Sequence, residues 1–436
     1  MFKTLFNAFK IKDIRRKLLL TLLLLFIYRL GCWLPIPGFD IREAAGTNLS
    51  EGFSIFGIMN MISGNALQNC SVLALGVSPY ITASIVIQLL TVAIPALERL
   101  SRQGEDGRRK INLYTRIAAL VLSLAQAIGI VVAYSQYLDV NNALWAGAPT
   151  WLIGAGVVIV LVAGGMFTVW IGERITDLGI GNGMSLLIFV GILSSSAYAL
   201  SEGIKLAIEN IATIWTIVLY IVAVILIFGL IVFVDSAERR VPIQYAKQIK
   251  GRKMYGGQST FIPIKVNGSG VIPIIFASAL LTFPQLIISI FAPESGFMTW
   301  WQRYMGTNSW LYIVLLALLI LAFSFFYAQI TFNPEDVSKR IQQQGGFIPG
   351  IRPGKPTADY LKKISRRITL FGAIFLALIA LIPSLAFRAI GESASWGVLL
   401  NAFSATGLMI LVSVALEFNQ QLEAQMLMRN YKGFLN

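Results

Sequence analysis

Apolar stretches recur ten times along the chain, roughly over residues 18–34, 73–94, 115–136, 151–171, 183–200, 212–234, 270–291, 310–330, 368–387 and 396–417. Most approach the ~20 residues that a helix needs to cross a bilayer. Two segments, 241–247 and 259–266, alternate apolar and polar positions instead. With Gly256-Gly257 between them they predict a protruding β-hairpin. One apolar stretch fits neither pattern. Residues 53–70 carry Phe56, Ile58, Met59, Met61 and Ile62, and then Ser63, Gly64 and Asn65 interrupt the run. The segment is too apolar for a surface loop and too short to span. It predicts a short helix that is re-entrant, interfacial or lodged in a bundle. Irregular backbone at membrane depth survives only where protein or a water-filled cavity surrounds it.

Composition agrees with a membrane protein: 56% of residues are hydrophobic, 13% are charged and mean hydropathy is +0.72. Soluble domains carry about 25% charged residues. The net charge of +14 is informative through its placement. With the N-terminus inside, 30 of the 35 Lys and Arg residues fall in cytoplasmic stretches and 4 in outer loops (Arg42, Lys205, Arg303 and Arg388). That asymmetry is the positive-inside pattern. It predicts a multi-pass protein with both termini cytoplasmic. Arg29 lies within the first span, close enough to its end to snorkel. The first span reads as uncleaved, since no small-x-small cleavage pattern follows it.

Several chemistries are excluded. The chain has no histidine, so neither a His-Glu-x-x-His metalloprotease nor a Ser-His hydrolase can be built. Cys32 and Cys70 have no metal-ligand spacing and read as buried small hydrophobes. Gly179-Ile-Gly-Asn-Gly183 follows a helix rather than a strand. It reads as a sharp turn back into the membrane, not a phosphate loop. No catalytic residue, metal or cofactor is expected. Mid-membrane carboxylates are nearly absent, which speaks against a proton relay.

The cytoplasmic loops need more than topology to explain them. Residues 239–269 hold seven basic and no acidic residues, and residues 333–367 hold eight basic ones. Attraction to anionic lipid explains a few charges near each span, at about 1 kcal/mol per residue. Projections that look folded suit a large acidic partner, either RNA phosphate or an acidic protein. Arg240, Lys250, Arg252, Lys253 and Arg352 are the docking candidates, the last fixed in a turn-rich run. Five spans precede residue 210 and five follow it. An odd number per half would make halves 1–210 and 211–436 an inverted repeat with a pathway between them.

The residues also carry a resemblance. Pro35-Ile-Pro-Gly38, Met61-Ile-Ser-Gly64, the run Ala74-Leu-Gly-Val-Ser-Pro-Tyr80 continuing to Leu90, Gly107-Arg-Arg-Lys110, Gly179-Ile-Gly-Asn-Gly183, Phe332-Asn-Pro334 and Phe347-Ile-Pro-Gly-Ile-Arg-Pro-Gly354 occur in order. Together they resemble the SecY/Sec61-alpha family nearly end to end. The resemblance implies an all-α membrane fold of ten transmembrane helices in two five-helix halves around a central pore. A short plug helix and a cytoplasmic hairpin complete it. The implied function is conduction of unfolded polypeptides and sideways release of apolar helices into lipid, in a bacterial plasma membrane. By motif, the implied pore ring falls on Ile81, Ile85, Met184, Ile188, Ile275 and Ile410, with Val77 one turn before Ile81. The family favours isoleucine, so Met184 is a departure. The plug falls on residues 53–70 and the lateral gate on Ser84, Gln88, Asn267 and Pro273. The implied partners are SecE and SecG subunits, a SecA ATPase or a ribosome at the basic loops, signal peptides and unfolded chains. Anionic lipid and ribosomal RNA are further contacts of the basic loops.

Two other readings compete. A ten-span solute transporter would need mid-membrane polar ligands and no long basic loops. A non-conducting scaffold would need no removable insert. Taken singly, without the resemblance, each ring residue reads better as ordinary lipid- or core-facing packing.

Overall fold

The computed structural model describes residues 6, 8–37, 39, 60, 62–101, 103–133, 149–179, 181–209, 212–245, 248–250, 253–255, 259–291, 296–305, 309–390 and 405–432. The helices follow the apolar runs. The first five long ones are α1 (Lys12–Gly31), α2 (Ser78–Ala93), α4 (Glu105–Ala133), α5 (Thr150–Asp177) and α6 (Gly183–Glu209), with the short α3 (Pro95–Ser101) after α2. The second five are α7 (Ala212–Asp235), α8 (Ile272–Phe291), α10 (Trp310–Thr331), α12 (Lys355–Ile390) and α13 (Ala405–Lys432). Shorter helices α9 (Gly296–Met305) and α11 (Pro334–Gln343) flank α10.

Each predicted span overlaps one of these helices, but the ends differ for local reasons. α2 begins at Ser78 rather than 73, because Gly76 takes a left-handed φ of 53° and Pro79 favours the first helical turn. It ends before Pro95, where the chain bends by 106° into α3. α12 begins at Lys355 rather than 368. Its first turns are basic and amphipathic, a pattern that hydropathy alone does not register. Residues 396–404 of the last predicted span lie outside the described residues.

Among the described residues, four helical stretches are long and apolar enough to cross a membrane: Glu105–Val132, Thr150–Asp177, Trp310–Gln343 and Lys355–Ile382. The bent α2–α3 pair would make a fifth. Their outward faces carry exposed Leu, Ile, Val and Phe side chains, as on α1, where Leu19, Leu22, Leu23, Phe26 and Leu30 face out while Ile14, Leu18, Thr21 and Tyr28 face in. A face of that composition needs lipid rather than water around it.

Packing largely follows chain order. α2 lies on α4, α4 on α5 and α5 on α6, while α8 lies on α10 and α10 on α12. The halves meet on two sides. On one, α6 touches α7 and α13; on the other, α8 touches α2 and α4. The joints are tight where glycine permits. A Cβ on Gly183 would lie 1.9 Å from the Gly172 carbonyl oxygen, so the α5–α6 turn brings backbone against backbone. Asn182 caps α6, accepting from the Met184 amide at 3.1 Å, and Gly179 and Gly181 supply the positive φ that the reversal requires. Arg116 on α4 and Glu173 on α5 pair at 2.6 Å.

At one end of the bundle the chain leaves α7 and forms a sheet. β1 (Glu238–Tyr245) pairs antiparallel with β4 (Ser259–Lys265), from Glu238 opposite Lys265 to Gln244 opposite Ser259. Beyond them β2 (Gln248–Lys250) pairs with β3 (Lys253–Tyr255). The innermost pair is Lys250 with Lys253, so the hairpin ends before Gly256-Gly257, where the sequence suggested its turn. β5 (Gly346–Phe347) adds to the other edge of β1, Gln244 opposite Phe347. The two basic loops are therefore one folded unit. Val241, Ile243, Ile264, Ile341, Ile348 and Leu361 form its core.

Candidate functional site

The expected ring residues come from four helices: Ile81 and Ile85 from α2, Met184 and Ile188 from α6, Ile275 from α8 and Ile410 from α13. Met184, Ile188, Ile410 and Val77 are buried in one apolar cluster, and Ile81 and Ile275 pack against it. Ile85 belongs to an adjoining cluster with Phe276 and Tyr327, and Ile81 and Ile275 touch that one as well. The six side chains thus fall in two adjoining apolar clusters that share Ile81 and Ile275. Met184 packs closely on α5: a Cβ added at Gly172 would fall 2.5 Å from its Sδ. The thioether therefore fills a notch in α5 left by glycine. A branched isoleucine in its place would have to fit the same notch.

The short insert packs against the end of α1 and against α6. Phe56, Ile58, Met59 and Met61 lie outside the described residues; Asn60 and residues 62–70 are described. They form turns around Gly64 and Asn65, both at positive φ (72° and 65°). The Asn60 carbonyl accepts from the Asn65 amide at 2.8 Å, and the Asn60 side-chain oxygen accepts from the Gln68 amide at 3.0 Å. The insert's neighbours are specific. Arg29 Nη1 donates to the Gly64 carbonyl at 2.8 Å, and Cys32 Sγ approaches the Ser63 carbonyl at 3.7 Å. Arg29 therefore does not snorkel away, as its position suggested, but holds the insert. A Cβ on Gly191 of α6 would lie 2.0 Å from the Ile62 carbonyl oxygen. Gly191 follows Ile188 by about one turn, or ~4.5 Å of rise. Since α6 starts at the sheet end of the bundle, the insert lies on the far side of Ile188 from the sheet. Cys32 and Cys70 are both buried and form no disulfide.

Beside the seam between α2 and α8, aromatic rings pack α8 on α10, and Ile85 of α2 joins their cluster. Phe276 meets Phe323 and Tyr327 edge-on, with centroids 5.4 Å and 5.1 Å apart. The Tyr327 hydroxyl donates to Gln88 Oε1 across the seam. Of the four expected gate residues, Gln88 and Ser84 lie on α2. Pro273 is buried in the first turn of α8. Asn267 donates to Asp235 Oδ1 at 2.8 Å and so ties the start of α8 to α7 within its own half. Tyr327, Phe276, Phe323 and Gly191 have no local sequence signal; a ring on an apolar helix reads as lipid-facing until its partner is known.

The sheet end carries the cations. All eight basic residues of 333–367 are exposed, Arg352 among them. Its carbonyl accepts from Thr357 Oγ1 at 2.8 Å, and Ser338 Oγ donates to the Gly354 carbonyl at 2.7 Å. The run that presents Arg352 is thus pinned at both α11 and α12. Arg240 is held differently. Its Nε pairs with Glu238 at 2.7 Å and its guanidinium lies 4.8 Å from the Phe261 ring centre. The side chains of Lys250 and Lys253, and the whole of Arg252, lie outside the described residues.

Known proteins share this sequence and fold. The family model described as SecY matches residues 71–419. A protein translocase subunit SecY from Streptomyces coelicolor is 43% identical over 439 residues, covering 98% of both chains. The Mycobacterium tuberculosis protein of the same name is 42% identical over 457 residues, covering all of both chains. Among solved structures, one described as a protein conducting channel superposes with a TM-score of 0.66 at 20% identity, covering 93% of this chain and 91% of that one. Sec61 from the canine ribosome-channel complex of the endoplasmic reticulum gives 0.61 at 18% identity, covering 93% and 91%.

Proposed function

The chain belongs to the SecY family, the pore-forming subunits of the protein translocase, and we propose how its residues carry out that work. All ten long helices cross the membrane, with both termini and the sheet on the cytoplasmic side of a bacterial plasma membrane. Halves 1–210 and 211–436 enclose an hourglass pathway between them. The observation that carries this reading is the gathering of Ile81, Ile85, Met184, Ile188, Ile275 and Ile410 in two adjoining apolar clusters, with the insert packed on α6 at Gly191, about one turn past Ile188.

A channel for unfolded chains must pass any side chain and still hold back ions. An apolar constriction does this by dewetting. Flexible apolar side chains then form a collar around a passing polypeptide without binding it tightly. The insert is the plug, closing the outer side when no substrate is present. The seam between α2 and α8 is the lateral gate, where an apolar signal helix leaves one apolar environment for another. Gln88, Ser84 and the Phe276–Tyr327 rings line it, and Pro273 and Asn267 set the start of α8.

This is a conduit and not an enzyme, so the driving energy comes from a partner. The joined cytoplasmic loops, with Arg352 exposed on a pinned turn and the basic hairpin tip at Lys250, Arg252 and Lys253, are the docking surface for a SecA motor or a ribosome. Arg240 supports the hairpin through Glu238 and Phe261. SecE and SecG subunits complete the complex, and anionic lipid and ribosomal RNA meet the outermost cations. Deleting residues 57–67 tests the plug. Liposomes holding the deletion variant should show higher ion conductance than the parent; equal conductance would leave a scaffold as the better reading.

A further inference from the structure

α9 stands apart from the channel just described. It lies in the loop between α8 and α10, at the end of the bundle away from the sheet. One side packs inward: Met305 rests against the main apolar cluster and Trp301 is partly buried. The other side is a row of aromatics at helical spacing. Phe297, Trp300 and Tyr304 are 52%, 46% and 47% exposed. Phe297 stacks on Trp300 at 5.6 Å, and Trp300 meets Tyr304 at a tilt, also at 5.6 Å. The helix carries a single charge, Arg303. The row continues into the outward stripe of α10, where Trp310, Leu311, Val314 and Leu318 are each half-exposed or more. Between the two runs lies an open hollow of ≈ 460 Å³, lined by Tyr304, Ser309, Trp310, Leu311 and Val314.

We propose that α9 is an interfacial anchor. It lies flat in the headgroup region of the outer leaflet, with Phe297, Trp300 and Tyr304 inserted and a lipid acyl chain seated in the hollow beside Trp310. The proposal rests on the ten-span topology given above. Its occupant follows from continuity. α10 is an apolar span whose exposed stripe faces hydrocarbon, and the α9 row lies beside the start of that stripe, where Tyr304 and Trp310 line one hollow. Trp and Tyr favour the membrane–water boundary because their rings are apolar and their tips polar. An amphipathic helix of low net hydrophobicity buries its apolar face ~5–10 Å into that boundary. The anchor would fix the outer ends of α8 and α10, the two helices whose rings close on α2.

Depth-dependent quenching tests this. The full-length chain is labelled with an environment-sensitive fluorophore at Trp300→Cys, Leu226→Cys or Lys339→Cys and placed in liposomes; the unmodified chain, whose two cysteines are buried, serves as the blank. Nitroxides are carried on the lipid near the headgroup or near the acyl terminus. The label at 300 should be quenched roughly twofold more by the shallow nitroxide than by the deep one, as a depth of ~5–10 Å requires. The label at 226 should be quenched most by the deep one, and that at 339 by neither. A label at 300 that behaves like 339, or that both lipid and aqueous quenchers fail to reach, overturns the anchor in favour of water or a protein neighbour. If the label at 226 also escapes the lipid quenchers, the span assignment itself fails.

Discussion

Arg29 donates to the carbonyl of Gly64 at 2.8 Å, so a cation of the first helix holds the backbone of the insert. A hydrogen bond from a charged donor contributes ~1.5–3 kcal/mol, and more is lost when a buried partner is left unmade. Arg29→Met keeps the stem and removes the donor. It should raise the resting ion conductance of reconstituted channels by about tenfold, in line with that energy. Gly191→Leu should act in the same direction by displacing the Ile62 carbonyl. Conductance equal to that of the parent in both variants would detach the insert from the seal.

Tyr327 on α10 bridges to Gln88 on α2, beside the seam proposed as the gate. Tyr327→Phe keeps the ring and its edge-on contact and removes only the hydroxyl. A neutral hydrogen bond is worth about 1 kcal/mol, so the closed seam should be weakened by roughly fivefold. The readout is the rate at which a photoreactive signal helix crosslinks to lipid. A faster rate fits the clasp; an unchanged rate would assign the seam's closure to the rings alone.

Arg352 is exposed on a turn whose backbone is tied by Thr357 and Ser338. Arg352→Glu should therefore leave the melting temperature within about a degree or two of the parent, as surface changes usually do. Partner-driven transport in proteoliposomes should fall by at least tenfold. Normal transport by a well-folded variant would remove Arg352 from the docking surface.

Much of this was legible in the sequence, and the remainder was not for identifiable reasons. The helix positions were visible because an apolar run of about 20 residues has few other uses. Helix ends were less visible. The basic turns that open α12 at Lys355 look polar to a hydropathy window, and Pro79 moves the start of α2 past 73. The hairpin was readable from alternation, but its union with Gly346 and Phe347 was not. That pairing joins residues far apart in sequence and leaves no local periodicity. Arg29 illustrates the same limit. Its position suggested snorkelling, yet its partner is a carbonyl 35 residues away. The ring residues were named through resemblance alone, since an isoleucine in a core and one in a constriction look identical along the chain.

The most direct measurement of the central claim is crosslinking from the ring. A photoreactive side chain is placed in turn at Ile81, Ile188 and Ile275, and at Leu226 on the outward face of α7 as control. A secretory polypeptide is then stalled midway through translocation. The stalled chain should crosslink from all three ring positions and not from Leu226. Crosslinks from Leu226 alone, or none from the ring while transport proceeds, would contradict a pathway between the two halves.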